Sequence, residues 1–159
     1  MCGTTREDIN DFLSQKRLAL VGVSRNPKDF SRAMFRDLRR QGYDMVPVNP
    51  AVAEVDGVRS FAKLQDVQPP VDGALVMTPA EKSLRVAQDC FESGINRVWF
   101  HRGAGRGAVD EDAVNFCHQR GMHVVEGFCP YMFLGQVPFF HRVHGLFMRV
   151  VGTYPPKAA

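Results

Sequence analysis

The sequence lacks the marks of several large functional classes. No stretch approaches the roughly 18 apolar residues of a membrane-spanning helix, and the N-terminus has no signal-peptide core. The net charge of +3 is small and scattered, which does not favour a nucleic-acid partner. The four cysteines show no C-x-x-C spacing and no regular pattern. We therefore predict a cytoplasmic protein with reduced cysteines and with neither a membrane nor a nucleic-acid partner.

A complete dinucleotide-binding fingerprint is also missing. The pattern G-x-G-x-x-G would need three glycines, where the chain has Gly22, Ser24 and Pro27. NAD-binding folds place Asp or Glu after the second strand to hold the ribose hydroxyls. Here that strand ends in Pro-Val-Asn-Pro, with no acid until Glu54. The sequence thus argues against NAD.

An alternation of apolar runs and amphipathic stretches is present instead. The 159 residues, 45% of them apolar, predict one domain at 1–159, with a short helix at 5–15 and a helical tail at about 137–150. Strands alternating with helices predict a Rossmann-like α/β fold, a parallel sheet in the order 3-2-1-4-5 with helices on both faces. The five predicted strands are residues 18–21, 44–48, 72–77, 98–100 and 123–125.

The strongest local signal is the turn after the first strand. Gly22 lets the chain bend sharply after a buried apolar run. Ser31 is the predicted N-cap of the next helix, whose free N–H groups then form a phosphate site. Ser24 offers a hydroxyl to a phosphate. The alternative is an ordinary turn whose glycine only shapes the backbone. Positive charge around this turn comes from Arg25, Lys28 and Arg32.

The predicted topology brings further loops to the same edge. Open α/β sheets bind ligands beyond the carboxyl ends of their strands, where the strand order reverses. Thr78 is predicted to cap the third helix, with Pro79 at its first position. A nucleotide-like ligand is therefore expected at this edge. The loops expected to meet there are residues 22–26, 49–50, 77–79 and 100–103.

Short motifs spread over most of the chain give a family resemblance. They are Val21-Gly22-Val-Ser24-Arg-Asn26-Pro27, Ser31, Gly42-Tyr43, Val46-Pro47-Val48-Asn49-Pro50, Val71-Asp72, Trp99, and Gly121 followed by Val124-Val125. With these motifs, residues 15–133 resemble the small stand-alone CoA-binding domain family. That family is related to the CoA-binding N-terminal domain of the succinyl-CoA synthetase alpha subunit.

The resemblance implies a ligand and a set of contacts. Residues 24–26 would contact the phosphates of coenzyme A, and residues 49–50 and 78–79 would flank the nucleotide. Many relatives carry an arginine–proline or proline-rich segment after the third strand, where this chain has residues 77–80, Met-Thr-Pro-Ala. The positions of adenine and pantetheine therefore stay open. The predicted cofactor-binding residues are Gly22, Val23, Ser24, Arg25, Asn26, Lys28, Ser31, Asn49, Pro50, Thr78, Pro79, Phe100, His101 and Gly103.

The other chemically active side chains are assigned binding or structural roles. His101 lies at the ligand edge without an assignable acid partner, so we favour binding over acid–base catalysis. Cys129 is interpreted as a structural turn residue rather than a thiol that exchanges with pantetheine. His141 and His144 share a helix face but have no further ligand at a recognisable spacing, so no metal site is predicted.

Three functional hypotheses remain. The leading one is a non-catalytic protein that binds coenzyme A or an acyl-CoA. The first alternative is an enzyme on the same fold, either an acyl-CoA-dependent transferase or an NAD(P) oxidoreductase. The second is a regulatory module whose apolar segments 129–134 and 146–148 dock a protein partner or another copy. Because one fold hosts many functions, the fold alone does not choose among them.

Overall fold

A parallel sheet of five strands forms the centre of the protein. The computed structural model describes residues 3–103 and 105–135. His141, His144 and the predicted tail at about 137–150, which includes residues 146–148, lie outside the described residues. The described strands are β1 Arg17–Val21, β2 Asp44–Val48, β3 Glu54–Val55, β4 Val58–Arg59, β5 Gly73–Val76, β6 Arg97–Phe100 and β7 His123–Glu126.

The sheet has the order β2-β1-β5-β6-β7, and β3 pairs with β4 in a separate antiparallel hairpin. A single parallel bridge joins Val48 to Phe61 on the outer side of β2. If the hairpin is left aside and the segment at Phe61 is numbered as the third strand of the sheet, β5, β6 and β7 become the fourth, fifth and sixth. The order is then 3-2-1-4-5-6, which contains the predicted pattern. The segment that holds the outer position differs from the expectation, because residues 73–76 pair directly with β1. The strand order therefore reverses between β1 and β5.

Helices cover both faces of the sheet, as predicted. The helices are α1 Arg6–Ser14, α2 Phe30–Arg40, α3 Ser83–Glu92 and α4 Glu111–Gln119. Successive residues of a strand point to opposite faces, and two separate core clusters follow this alternation. Leu18 and Leu20 pack in the cluster formed with α1 and α2, whereas Ala19 and Val21 pack in the cluster formed with α3 and α4. Burial on both faces explains the continuous apolar runs.

Two helix starts differ from the prediction. Asp29, not Ser31, is the N-cap of α2, because its extended backbone ends the preceding turn one residue before Phe30. Thr78 does not cap the third helix either. A 3-10 turn, Ala80–Lys82, intervenes, and α3 begins only at Ser83. The hydroxyls of Ser31 and Thr78 are thus free of capping roles.

Short contacts cover the carboxyl end of each outer strand of the sheet. The Thr4 hydroxyl accepts a hydrogen bond of 2.8 Å from the Glu126 backbone N–H of β7. The same hydroxyl donates to the Glu126 carbonyl at 3.4 Å. At the opposite edge, the Phe61 backbone N–H donates to the Pro47 carbonyl, and the Asn49 backbone N–H donates to the Phe61 carbonyl. These bonds satisfy backbone groups that an edge strand would otherwise expose.

The hairpin β3–β4 is fixed to α2 by one carboxylate. Asp56 lies in the hairpin turn with a φ of 47° and accepts hydrogen bonds from Arg32 and Arg36. Arg39 donates to the backbone carbonyl of Asp56 at 3.2 Å. The hydrogen bond from Arg32 lowers the pKa of the Asp56 carboxyl below its ordinary value of 3.8. The arginine-rich side of α2 is therefore partly neutralised inside the fold.

We expect Asp56→Asn to lower the free energy of unfolding by about 1–2 kcal/mol at pH 7, since a hydrogen bond to a charged group is lost. Asparagine tolerates the positive φ, so the backbone is not strained. A carboxyl with a lowered folded pKa stabilises the fold above its unfolded pKa, and this contribution disappears as the pH falls through the folded value. Urea unfolding at pH 7 and pH 3 should therefore show a smaller difference in the free energy of unfolding between the wild type and Asp56→Asn at pH 3 than at pH 7.

Asp66→Asn is the matched control, since Asp66 is exposed and has no ion pair within the described residues. Its effect should stay within about 0.5 kcal/mol. Equal losses in the two variants would show that Asp56 contributes nothing beyond an ordinary surface carboxylate.

Candidate functional site

A close backbone contact defines a crevice at the carboxyl edge of the sheet. Gly22 follows β1 with a φ of 91°, and Met77 and Thr78 follow β5. A Cβ on Gly22 would lie 2.8 Å from Thr78 Cγ2 and 2.9 Å from the Thr78 backbone nitrogen. Only glycine fits this approach. The contact lies where the strand order reverses, the position at which this class of sheet binds ligands.

Hydrogen bonds fix the loop between Gly22 and α2 from several sides. The Ser24 backbone N–H donates to the Ser31 hydroxyl at 2.9 Å. Asn49, at the end of β2, donates from its side-chain amide to the Val23 carbonyl at 2.7 Å. Arg32 donates to the carbonyls of Ser24 and Arg25 at 3.3 and 3.4 Å. These bonds hold the loop in one shape and leave its outer surface at the crevice.

The Ser24 hydroxyl is occupied within the loop. It donates to the Asp29 carboxylate and accepts from the Asn26 backbone N–H at 3.1 Å. Asp29 also accepts from the Asn26 side-chain amide at 3.1 Å. A phosphate that approached this hydroxyl would compete with Asp29 for it. Asp29 is not among the predicted site residues, although its place at the end of an Asn-Pro-Lys-Asp turn is a signal for such a role.

The three cations predicted around the turn have different roles. Arg32 is 7% exposed and forms an ion pair with Asp56. Arg25 and Lys28 are exposed, and neither forms an ion pair within the described part of the chain. Positive charge available to a ligand therefore comes from Arg25 and Lys28, and Arg32 shapes the loop from inside.

Two polar atoms at this edge are buried without a hydrogen-bond partner among the described residues. They are the Thr78 hydroxyl and the Nε2 atom of His101, the residue after β6. His101 is 8% exposed, and its ring lies 5.4 Å from the Phe30 ring, centroid to centroid. Burial lowers the pKa of His101 to about 4, so its imidazole is neutral at pH 7. Unpaired buried polar groups are rare in native proteins.

Comparison with known proteins identifies the family. The family model described as a CoA binding domain matches residues 16–134, which is most of the chain. The chain belongs to this CoA-binding domain family. The match covers β1 to the segment after β7 and includes every described loop of the crevice.

Relatives of the chain differ in length. The uncharacterized protein YneT of Bacillus subtilis is 28% identical over 130 residues, covering 81% of this chain and 93% of that protein. The alpha subunit of ADP-forming acetate–CoA ligase II of Pyrococcus furiosus is 27% identical over 126 residues, covering 74% of this chain but 27% of that subunit. A solved structure, a hypothetical protein from Pyrococcus horikoshii, is 26% identical with a TM-score of 0.74. It covers 80% of this chain and 88% of its own.

The predicted cofactor-binding residues that have not yet been described differ in how exposed their side chains are. Pro50 and Pro79 are exposed. Phe100 is fully buried in the cluster that packs against α3 and α4, so its side chain contributes to the core. Gly103 lies against the His101 ring, because a Cβ there would be 3.3 Å from His101 Cε1.

The segment after β7 closes the apolar side of the edge. Trp99 donates from its indole nitrogen to the Phe128 carbonyl at 2.9 Å. Tyr131 packs edge-to-face on Phe30 at 5.7 Å and donates to Asp37 at 2.6 Å. Cys129 is 8% exposed, and burial raises the pKa of its thiol to about 11. A protonated, buried thiol agrees with the structural role expected for Cys129.

A separate cavity of about 540 Å³ lies between β7 and α4. Its lining combines Arg102 and Arg106 with Glu111 and Glu126, so its charges offset one another. The loop after Gly22 carries two exposed cations, Arg25 and Lys28, beside one carboxylate, Asp29, and is the better candidate for a phosphate ligand. Within the described residues, no three His, Cys, Asp or Glu side chains are grouped to hold a metal, and no helix is long and apolar enough to cross a membrane.

We expect Gly22→Ala to destabilise the protein more than Gly42→Ala. Both glycines have a positive φ, 91° and 94°, so both substitutions carry backbone strain of about 1–3 kcal/mol. A Cβ on Gly42 would meet nothing within 4 Å, whereas one on Gly22 would collide with Thr78. The difference between the two losses in urea unfolding measures the collision alone. Equal losses would mean that the crevice opens at little cost.

Proposed function

We propose that the protein binds coenzyme A or an acyl-CoA at the carboxyl edge of the sheet and does not itself catalyse a reaction. The observation that carries the proposal is the close approach of Gly22 to Thr78 in a chain of this family. Beside it lies a hydrogen-bonded loop with two exposed cations that form no ion pair within the described residues. The phosphates would lie against residues 22–28. Charge-assisted hydrogen bonds from Arg25 and Lys28 would strengthen that contact.

The end of β2 supports CoA over a nicotinamide dinucleotide. NAD-binding sheets use an acid there for the ribose hydroxyls. Asn49 stands in its place, and its side chain is occupied by the Val23 carbonyl and the Ala51 backbone N–H. A partly buried amide that is already hydrogen-bonded contributes to loop shape rather than to ribose recognition. Asn49 and Pro50 would accordingly flank the nucleotide, but they would not bind its ribose hydroxyls as a carboxylate does.

The side chains at the edge support binding rather than catalysis. His101 has no carboxylate partner within the described residues, so it lacks the orienting acid of a catalytic histidine. Cys129 is protonated at neutral pH because burial raises its pKa. The acetate–CoA ligase subunit uses CoA by its name, but this chain spans 27% of that subunit. Ligase activity is therefore not part of the proposal.

We expect calorimetry to show tighter binding of CoA than of NAD or NADP. The double variant Arg25→Gln/Lys28→Gln should weaken CoA binding about tenfold, because two charge-assisted contacts to phosphate are lost. Lys16→Gln/Arg120→Gln is the matched control. It removes the same charge from exposed side chains at the amino edge of the sheet. Equal weakening by both double variants, or NAD binding as tight as CoA, would contradict the proposed site.

We also expect no turnover of acyl-CoA. Incubation of the purified protein with acetyl-CoA and common acceptors should release free thiol at the background rate, measured with a thiol reagent. Sustained release that His101→Phe abolishes would place the protein among the enzymes of this fold.

A further inference from the structure

The cavity between β7 and α4 is separate from the crevice at Gly22. None of its lining residues belongs to the loops after β1 or β5. Its volume of about 540 Å³ lies in the range of pockets that hold small molecules. One wall is a face of α4 that carries Glu111 and Val114, three positions apart. The loop after β6 and Glu126, the last residue of β7, contribute the facing side chains.

Two residues of opposite charge line this cavity without pairing with each other. Glu126 is in register with Phe100, and Arg102 follows Phe100 by two residues. The Arg102 backbone N–H donates to the Phe128 carbonyl at 3.3 Å, which fixes the start of this loop beside the end of β7. No nitrogen of the Arg102 guanidinium lies within 4.0 Å of a Glu126 carboxylate oxygen. The cavity therefore separates a cation from an anion.

The charged ends of both side chains are available to a ligand. Arg102 donates from Nε to the Gly105 carbonyl at 3.0 Å, and its terminal guanidinium nitrogens have no hydrogen bond within the described residues. Glu126 is half-buried, and Thr4 contacts only its backbone. Its carboxylate has no hydrogen bond or ion pair among the residues that the structure describes. A half-buried carboxylate without a partner loses hydration and gains nothing in return.

The lining selects the chemistry of the ligand. The free guanidinium nitrogens of Arg102 suit a carboxylate, and the Glu126 carboxylate suits an ammonium group. Val109 and Val114 add an apolar surface to the same cavity. Arg106 and Glu111 contribute one further charge of each sign, so the lining does not favour a ligand with a large net charge. A carboxylate, an ammonium group and an aliphatic side chain are together the parts of a free α-amino acid.

We propose that the cavity between β7 and α4 binds a free α-amino acid with an aliphatic side chain. The ligand carboxylate pairs with Arg102, its ammonium group pairs with Glu126, and its side chain packs on Val109 and Val114. This second site is independent of the proposed function, because it shares no residue with the loops after β1 and β5.

Titration of the protein with L-leucine, followed in backbone amide NMR spectra, tests the proposal. Leucine should shift the signals of Arg102, Val109, Val114 and Glu126. Two capped ligands test each charge separately in the wild type: N-acetyl-leucine lacks the ammonium group, and leucine amide lacks the carboxylate. Each should bind about tenfold more weakly than leucine, because one charge-assisted contact is lost.

Two variants assign the contacts to residues. Arg102→Gln should weaken leucine binding about tenfold and leave the weaker binding of leucine amide unchanged, since that ligand has no carboxylate to lose. Glu126→Gln should do the same for leucine and N-acetyl-leucine. Lys82→Gln and Glu81→Gln are the matched controls, because both residues are exposed in the turn before α3 and neither lines the cavity. Both controls should bind leucine as the wild type does.

Several results would overturn the inference. They are the absence of signal shifts at about 10 mM leucine, equal affinities for leucine and its capped forms, and equal weakening by the variants and their controls. Shifts confined to the loop after Gly22 would place the amino acid at the other crevice and also overturn it. If a variant fails to fold, the capped ligands decide on the wild type alone. Coenzyme A is absent from these measurements, so their failure leaves the proposed function standing.

Discussion

The absence of a side chain at Gly22 is the constraint on which the candidate site depends. The backbone after β1 passes so close to Thr78 that even a methyl group would collide with it. This approach brings the loops after β1 and β5 together at the point where the strand order reverses. The helix α2 and its preceding loop then take their positions from this contact. A larger residue would separate the loops and change every distance across the crevice.

The loop shape also depends on residues distant in sequence. Asp56, in the hairpin β3–β4, holds the Arg32 guanidinium, and Arg32 in turn donates to the Ser24 and Arg25 carbonyls. Asn49 holds Val23 from the end of β2. The loop is thus formed before a ligand arrives, which reduces the conformational entropy lost on binding. The hairpin, which contributes little to the main sheet, has a clear role as a support for this loop.

The sequence predicted the sheet well because its strands are buried on both faces and so appear as continuous apolar runs. It predicted the glycine turn because a sharp bend needs Gly22. It did not predict that Asp29 would cap α2 and bind the Ser24 hydroxyl, since several polar residues in that turn compete for the same groups. Nor did it predict the pairing of Arg32 with Asp56. That contact joins residues 24 positions apart through a hairpin whose two-residue strands carry too little periodicity to be recognised.

Contacts at the carboxyl ends of the two outer strands affect how another strand could join the sheet. A strand from another molecule could pair with the end of β7 only by displacing the Thr4 hydroxyl from Glu126. At the other edge it would have to displace Phe61 from its backbone bonds beside β2. Extension of the sheet over the full length of either outer strand would therefore cost these bonds. Contacts through the helix and loop surfaces would leave these bonds intact, and there side chains rather than backbone groups determine the partner.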